Sequence, residues 1–93
     1  MKVIVCGAGQ VGYNIARQLS LENHDVTVVD SSEENIRTVS ESLDVQAIGG
    51  FASDPDVLER ANAADTELLI AVTQSDEVNM VACQVAHSLF DVR

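Results

Sequence analysis

Gly7-Ala8-Gly9-Gln10-Val11-Gly12 places three glycines at the spacing of a loop that holds a phosphate. Each glycine has a physical reason. Gly7 allows a tight turn out of a strand, Gly9 lets a diphosphate reach the backbone, and Gly12 lets the following helix pack close to a sheet. The amides from Gly9 to Val11 then begin a helix without intrahelical partners, so they can satisfy phosphate oxygens. Asp30, eighteen residues after Gly12, stands where a carboxylate accepts hydrogen bonds from both hydroxyls of a ribose. The same charge repels a 2′-phosphate, and the next residues are Ser31 and Ser32 rather than arginine. The pattern therefore favours NAD(H) over NADP(H). The plainer alternatives are a glycine turn with no ligand and an Asp30 that only caps a helix.

Positioning these groups requires strands and helices in strict alternation. Lys2 to Cys6 reads as a buried strand, and apolar Val11, Ile15, Ala16 and Leu19 mark one face of a helix from Gln10 to Leu21. Asp25 to Asp30 is a second strand, and Ser31 with Glu34 predicts a capping box opening a second helix. Val45 to Ile48 is a short third strand ending in Gly49-Gly50. Asp54-Pro55 predicts an N-cap and first residue for a third helix running to about Asn62. Glu67 to Val72 is a fourth, almost continuously apolar strand. Ser75-Asp76-Glu77 caps a last helix to about Phe90, with Val78, Val81, Ala82, Val85 and Leu89 on one face.

This β-α-β-α-β-α-β-α order with short connections implies a parallel sheet with right-handed crossovers. The expected fold is α/β and doubly wound (Rossmann-like), with strand order 3-2-1-4 and helices on both faces. Residues 1–93 form a single domain, and the expectation is that it stops before strands 5 and 6 of a complete sheet. A bare fourth strand would otherwise invite pairing at its edge.

The composition suits that fold: 46% of the 93 residues are hydrophobic but only 3% aromatic, so aliphatic side chains must fill the interior. A formal net charge of −10 repels nucleic-acid phosphates and anionic lipid, which argues against both as direct partners. The longest apolar run, Leu68 to Val72, is too short to span a bilayer, and Met1-Lys2 does not begin an export signal. Cys6 and Cys83 lack metal-binding spacing and read as reduced, buried thiols of a cytoplasmic protein.

Beyond the glycine loop, the third and fourth strands should also end at the ligand. Phe51 is then either a neighbour of the adenine ring or a loop anchor, and Thr73-Gln74 approaches the second ribose or terminal phosphates. Hydride chemistry needs a proton donor or acceptor near the nicotinamide. His24 and Lys2 fall at the opposite end of the sheet, and His87 lies deep in the last helix. Asp76 and Glu77 are explained by the helix start, so no catalytic set emerges. Met80, Cys83, His87 and Phe90 form a second stripe on the last helix, which suggests further strands or a neighbouring subunit.

MKVIVCGAGQVG, the Val28-Val29-Asp30 end of the second strand, and Ala71 to Ala86 (AVTQSDEVNMVACQVA) together resemble the regulatory subunits of Trk-type potassium uptake, the TrkA-like family with RCK or KTN domains. The resemblance covers essentially the whole chain. It implies a non-enzymatic cytoplasmic partner of a membrane-embedded potassium transporter, peripheral to the inner face of the membrane. It also implies homo-oligomers, dimers or rings, whose geometry responds to nucleotide. Carried over, the nucleotide contacts are Gly7, Ala8, Gly9, Gln10, Val11, Asp30, Thr73 and Gln74, with no catalytic or metal-binding residue. Phe51-Ala52 departs from the small or polar residues usual there. Regulatory NAD(H) is the leading ligand, ATP or ADP would use nearly the same site, and the alternative is the cofactor domain of an NAD-dependent dehydrogenase.

Overall fold

A computed structural model describes residues 1–92. Four parallel strands, β1 (Lys2–Cys6), β2 (Asp25–Asp30), β3 (Gln46–Gly49) and β4 (Leu68–Ala71), form one sheet in the order β3-β2-β1-β4. Between them run α1 (Gln10–Leu21), α2 (Glu33–Ser42) and α3 (Pro55–Arg60), with a 3-10 turn at Ala63–Asp65, and α4 (Asp76–Phe90) follows β4. The expected order and the doubly wound arrangement are both present.

Strand alternation divides the core into two layers. Val3, Val5, Val26 and Val28 face α1 and α2, where Ala16 and Val39 are buried with them. Ile4, Cys6, Val29 and Leu69 face α3 and α4, packing with Leu58, Ala82 and Ala86. β1 and β2 each have a strand on either edge and bury side chains in both layers, which is why their apolar residues are not confined to one face.

Register puts the working ends of the strands in one row. Cys6 lies opposite Val29 and Ala71, and Asp30 lies opposite Gly49. The ladder continues one residue past each strand: Gly7 N–H donates to Val29 (2.7 Å), Val72 N–H to Cys6 (2.8 Å) and Gly50 N–H to Asp30 (2.9 Å). The four loops therefore leave the sheet at one level and share a single rim.

Several boundaries differ from expectation for local reasons. The cap of α2 is Ser32, not Ser31, and its partner is the Asn35 amide (3.2 Å) rather than a Glu34 box. Asp30 causes the shift: its carboxylate accepts from Ser32 N–H (2.7 Å) and holds Ser31 in the turn. β3 begins one residue later than predicted, and β4 is shorter by one residue at each end. α3 stops at Arg60 because Asn62 takes a left-handed conformation (φ 62°) that starts the 3-10 turn. In α4 the buried face is Val78, Ala82, Val85 and Ala86, whereas Val81 and Leu89 are exposed. Of the second stripe, Phe90 packs on the core and Met80, Cys83 and His87 are exposed. Cys83 is thus not the buried thiol expected.

Candidate functional site

A cleft of about 320 Å³ lies above the carboxyl ends of the strands, bounded by the loops after β1, β2, β3 and β4. Of the eight residues singled out, Gly7, Gly9, Asp30, Thr73 and Gln74 line it. Ala8 is buried beneath it, and Gln10 and Val11 stand exposed on the first turn of α1 beside it.

The three glycines do different work. Gly7 has φ +111°, and a Cβ there would lie 2.8 Å from the Val72 carbonyl oxygen, so both conformation and space require glycine. A Cβ on Gly12 would lie 1.7 Å from the Gly7 carbonyl oxygen, where α1 crosses the loop. Gly9 has ordinary extended geometry (φ −69°), and a Cβ there would meet nothing within 4 Å. Protein packing therefore explains Gly7 and Gly12 but leaves Gly9 open, facing the cleft.

Gly9 is the N-cap of α1 and has no side-chain cap, and the first turn of α1 contains no acid. The other three helices are closed by their own residues: Ser32, Asp54 and Ser75 accept from backbone amides at 3.2, 2.9 and 3.2 Å. Each of those helices also has acids in its first turn. The α1 terminus thus keeps unpaired amides and its positive dipole end beside the cleft, a combination that suits a phosphate.

Across the loop stands Asp30. Its Oδ2 accepts from Ala8 N–H at 2.6 Å and its Oδ1 from Ser32 N–H at 2.7 Å. Asn35 Nδ2 makes a long contact to Oδ2 at 3.5 Å. A carboxylate has about four acceptor positions, so Oδ1 keeps capacity for a ribose hydroxyl, and a second hydroxyl at Oδ2 would replace Asn35. Asp30 also ties the glycine loop to β2, a second role beside the one expected of it. The Ala8 amide is correspondingly occupied and is not a free donor. Asp30 is the one charged residue among the described residues lining the cleft. Lys2 instead pairs with Asp25 (3.6 Å) at the opposite end of the sheet.

Phe51 lines the cleft and is 64% exposed, so it is not a loop anchor. Buried Ala52 anchors the loop. At the far side, Thr73 N–H donates to Asn79 Oδ1 (2.9 Å), and Asn79 Nδ2 donates to the Thr73 carbonyl (3.2 Å). Sequence reasoning missed Asn79, Ser32 and Asn35. Ser32 and Asn35 had a local signal, the Ser-x-x-Asn spacing of a cap, whereas the Asn79 contact spans a turn and has no periodic signature.

The remaining reactive groups lie elsewhere. His24 is 3.8 Å from Glu22 in the turn before β2, and His87 is exposed on α4 near Met1 and Glu67. Burial pushes the Cys6 thiol up to about 12, with the nearby Cys83 thiol adding to the effect. Cys6 is therefore protonated and inert at neutral pH. Among the described residues no cluster of His, Cys, Asp or Glu could hold a metal, and no helix is long and apolar enough to cross a membrane.

Comparison with known families decides the kinship: the TrkA-N domain matches residues 3–93. The chain belongs to the TrkA-N domain family. This TrkA-N domain is 55% identical over 92 residues to the Trk system potassium uptake protein TrkA of Azorhizobium caulinodans, covering 99% of the chain and 20% of that protein. It is 48% identical over 91 residues to the protein of the same name from Vibrio alginolyticus, covering 98% of the chain and again 20% of the relative. The chain thus spans about a fifth of the length of these relatives. Among solved structures, the Shewanella denitrificans Kef CTD in its AMP-bound form superposes with a TM-score of 0.84 at 25% identity, covering 98% of this chain and 54% of that one. The GsuK channel bound to NAD superposes with a TM-score of 0.83 at 22% identity, covering 98% and 16%, and shares the fold of this TrkA-N domain.

Proposed function

We propose that the domain binds NAD(H) in the cleft as a regulatory ligand and is the nucleotide-sensing part of a potassium uptake system. The observation that carries this reading is the pairing of an uncapped α1 terminus with Asp30 across an open Gly9. The diphosphate sits on the α1 amides, the adenosine ribose on Asp30, and the adenine beside Phe51. With Asp30 the one charge among the described lining residues, phosphate binding relies on backbone amides, and a 2′-phosphate meets repulsion.

The ligand acts through its difference in affinity between two arrangements of the loops, and can shift their balance by no more than that difference. The arrangement in which the glycine loop, Asp30 and the β4 end are closest is the one it favours. In this reading the protein is not an enzyme. It works at the cytoplasmic face of the membrane, assembled as a dimer or ring against a membrane-embedded potassium transporter; the role in potassium uptake is supported by the names of the TrkA relatives. The position of both histidines away from the cleft favours this reading over a dehydrogenase cofactor domain.

An adenine mononucleotide, ATP or ADP, is the second reading. It is favoured by the completeness of the adenosine half, namely loop, Asp30 and Phe51, and by the AMP-bound Kef domain. Calorimetric titration with NAD⁺, NADH, NADPH, ATP and ADP at one ionic strength separates the readings. NAD(H) binding with rejection of NADPH supports the first, and selective ATP or ADP binding supports the second. Unequal affinities for NAD⁺ and NADH would identify redox state as the signal.

A further inference from the structure

The lip of the cleft after β4 is held by a side chain that does not line the cleft. Asn79, one turn into α4, presents its amide to the Thr73 peptide as a neighbouring strand would, accepting from Thr73 N–H (2.9 Å) and donating to the Thr73 carbonyl (3.2 Å). The Thr73 hydroxyl donates to Asn79 Oδ1 (2.6 Å), with the Ser75 carbonyl as its other acceptor (3.0 Å), and accepts from Ser75 N–H (3.2 Å). Every polar group of Thr73 is thereby engaged within the protein. Gln74, the next residue, is exposed, lines the cleft and takes no part in this network.

The strand order gives this lip a particular place along a ligand. Asp30 and Phe51 follow β2 and β3 on one side of β1, and Thr73-Gln74 follows β4 on the other. A ligand with its phosphates at the start of α1 extends one nucleoside toward Asp30 and a second toward Gln74. We propose that Asn79 is a positioning residue for that second nucleoside: it immobilises Thr73 so that the Gln74 side chain contacts the ligand. Thr73 is then support rather than a ligand contact. The inference rests on the nucleotide reading of the cleft and refines it.

The test compares NADH with AMP, which lacks the second nucleoside, by calorimetric titration of the unaltered protein and of Asn79→Asp, Asn79→Ala and Gln74→Ala. Asn79→Asp keeps an acceptor for Thr73 N–H but sets an anionic oxygen against the Thr73 carbonyl. Asn79→Asp and Gln74→Ala are each expected to weaken NADH about three- to tenfold, as for one lost hydrogen bond, and to leave AMP within about twofold. Equal weakening of both ligands would overturn the proposal by making Asn79 a support for the whole domain. Unchanged NADH affinity in either variant would also overturn it. Should Asn79→Ala fail to fold, the exposed Gln74→Ala still decides the outcome. An unaltered protein that binds AMP but not NADH overturns the second subsite alone, whereas one that binds neither removes the nucleotide reading itself.

Discussion

α1 and α4 begin in equivalent places, each just beyond the carboxyl end of a neighbouring strand, yet their first turns are built in opposite ways. α4 is closed by Ser75, carries Asp76 and Glu77 in its first turn, and is tied back to β4 through Asn79. α1 has no side-chain cap, no acid, and a glycine at its N-cap with open space around it. The parallel sheet offers four positive helix ends at its rim, and the sequence caps three of them and leaves α1 open. The start of α1 therefore suits an anion, and the loop before α4 borders the same cleft.

The largest effects should separate glycines that serve the fold from the one that serves the ligand. Gly12→Val places side-chain atoms on the Gly7 carbonyl and should destabilise the protein by at least about 3 kcal/mol, visible as loss of the cooperative unfolding transition in urea. Gly9→Val should unfold within about 1 kcal/mol of the unaltered protein but show no detectable NADH binding. Unfolding of both variants alike would erase the distinction drawn between them.

Asp30→Ala comes next, because it removes a ribose acceptor and also frees Ala8 N–H. Binding of ribose-bearing ligands should weaken by roughly 1–3 kcal/mol. Hydrogen exchange at the Ala8 amide should accelerate in the same variant. Unchanged affinity with accelerated exchange would leave Asp30 as a loop tether alone. Ser75→Ala, the matching change at α4, should cost about 1 kcal/mol of stability in urea unfolding and leave NADH affinity unaltered.

The smallest effect at neutral pH concerns Cys6. Its thiol is raised from 9.0 to about 12 in the folded protein by burial, so the unfolded chain releases this proton first. The contribution to stability is complete below pH 9 and is lost as pH rises toward 12. A thiol reagent at pH 8 should label Cys83 rapidly and Cys6 only on unfolding.

Sequence patterning located the elements with steep local signals. β1 runs from Lys2 to the glycine loop, and α1 has a clear apolar stripe and glycine start, so both were legible to the residue. Strand order followed from the short alternating connections. What local pattern could not convey was contact between distant residues. The Asp30 carboxylate takes hold of Ala8 and Ser32, which moves the cap of α2 by one residue and occupies one loop amide. Asn79 takes up the Thr73 backbone across the turn into α4, a contact that no local pattern announces. The face of α4 was misjudged at Val81 and Leu89 because a helix rich in Val, Ala and Leu has apolar residues on more than one side. The family and the fold were legible, and the hydrogen bonds that join residues around the cleft were not.

The central claim is that α1, not α4, supplies the anion-binding amides. Amide hydrogen exchange resolved by residue, with and without saturating NADH, tests it directly. Slowed exchange at Gln10 and Val11, with no change at Glu77 and Val78, is the predicted result. Protection at the start of α4 with none at the start of α1 would contradict it.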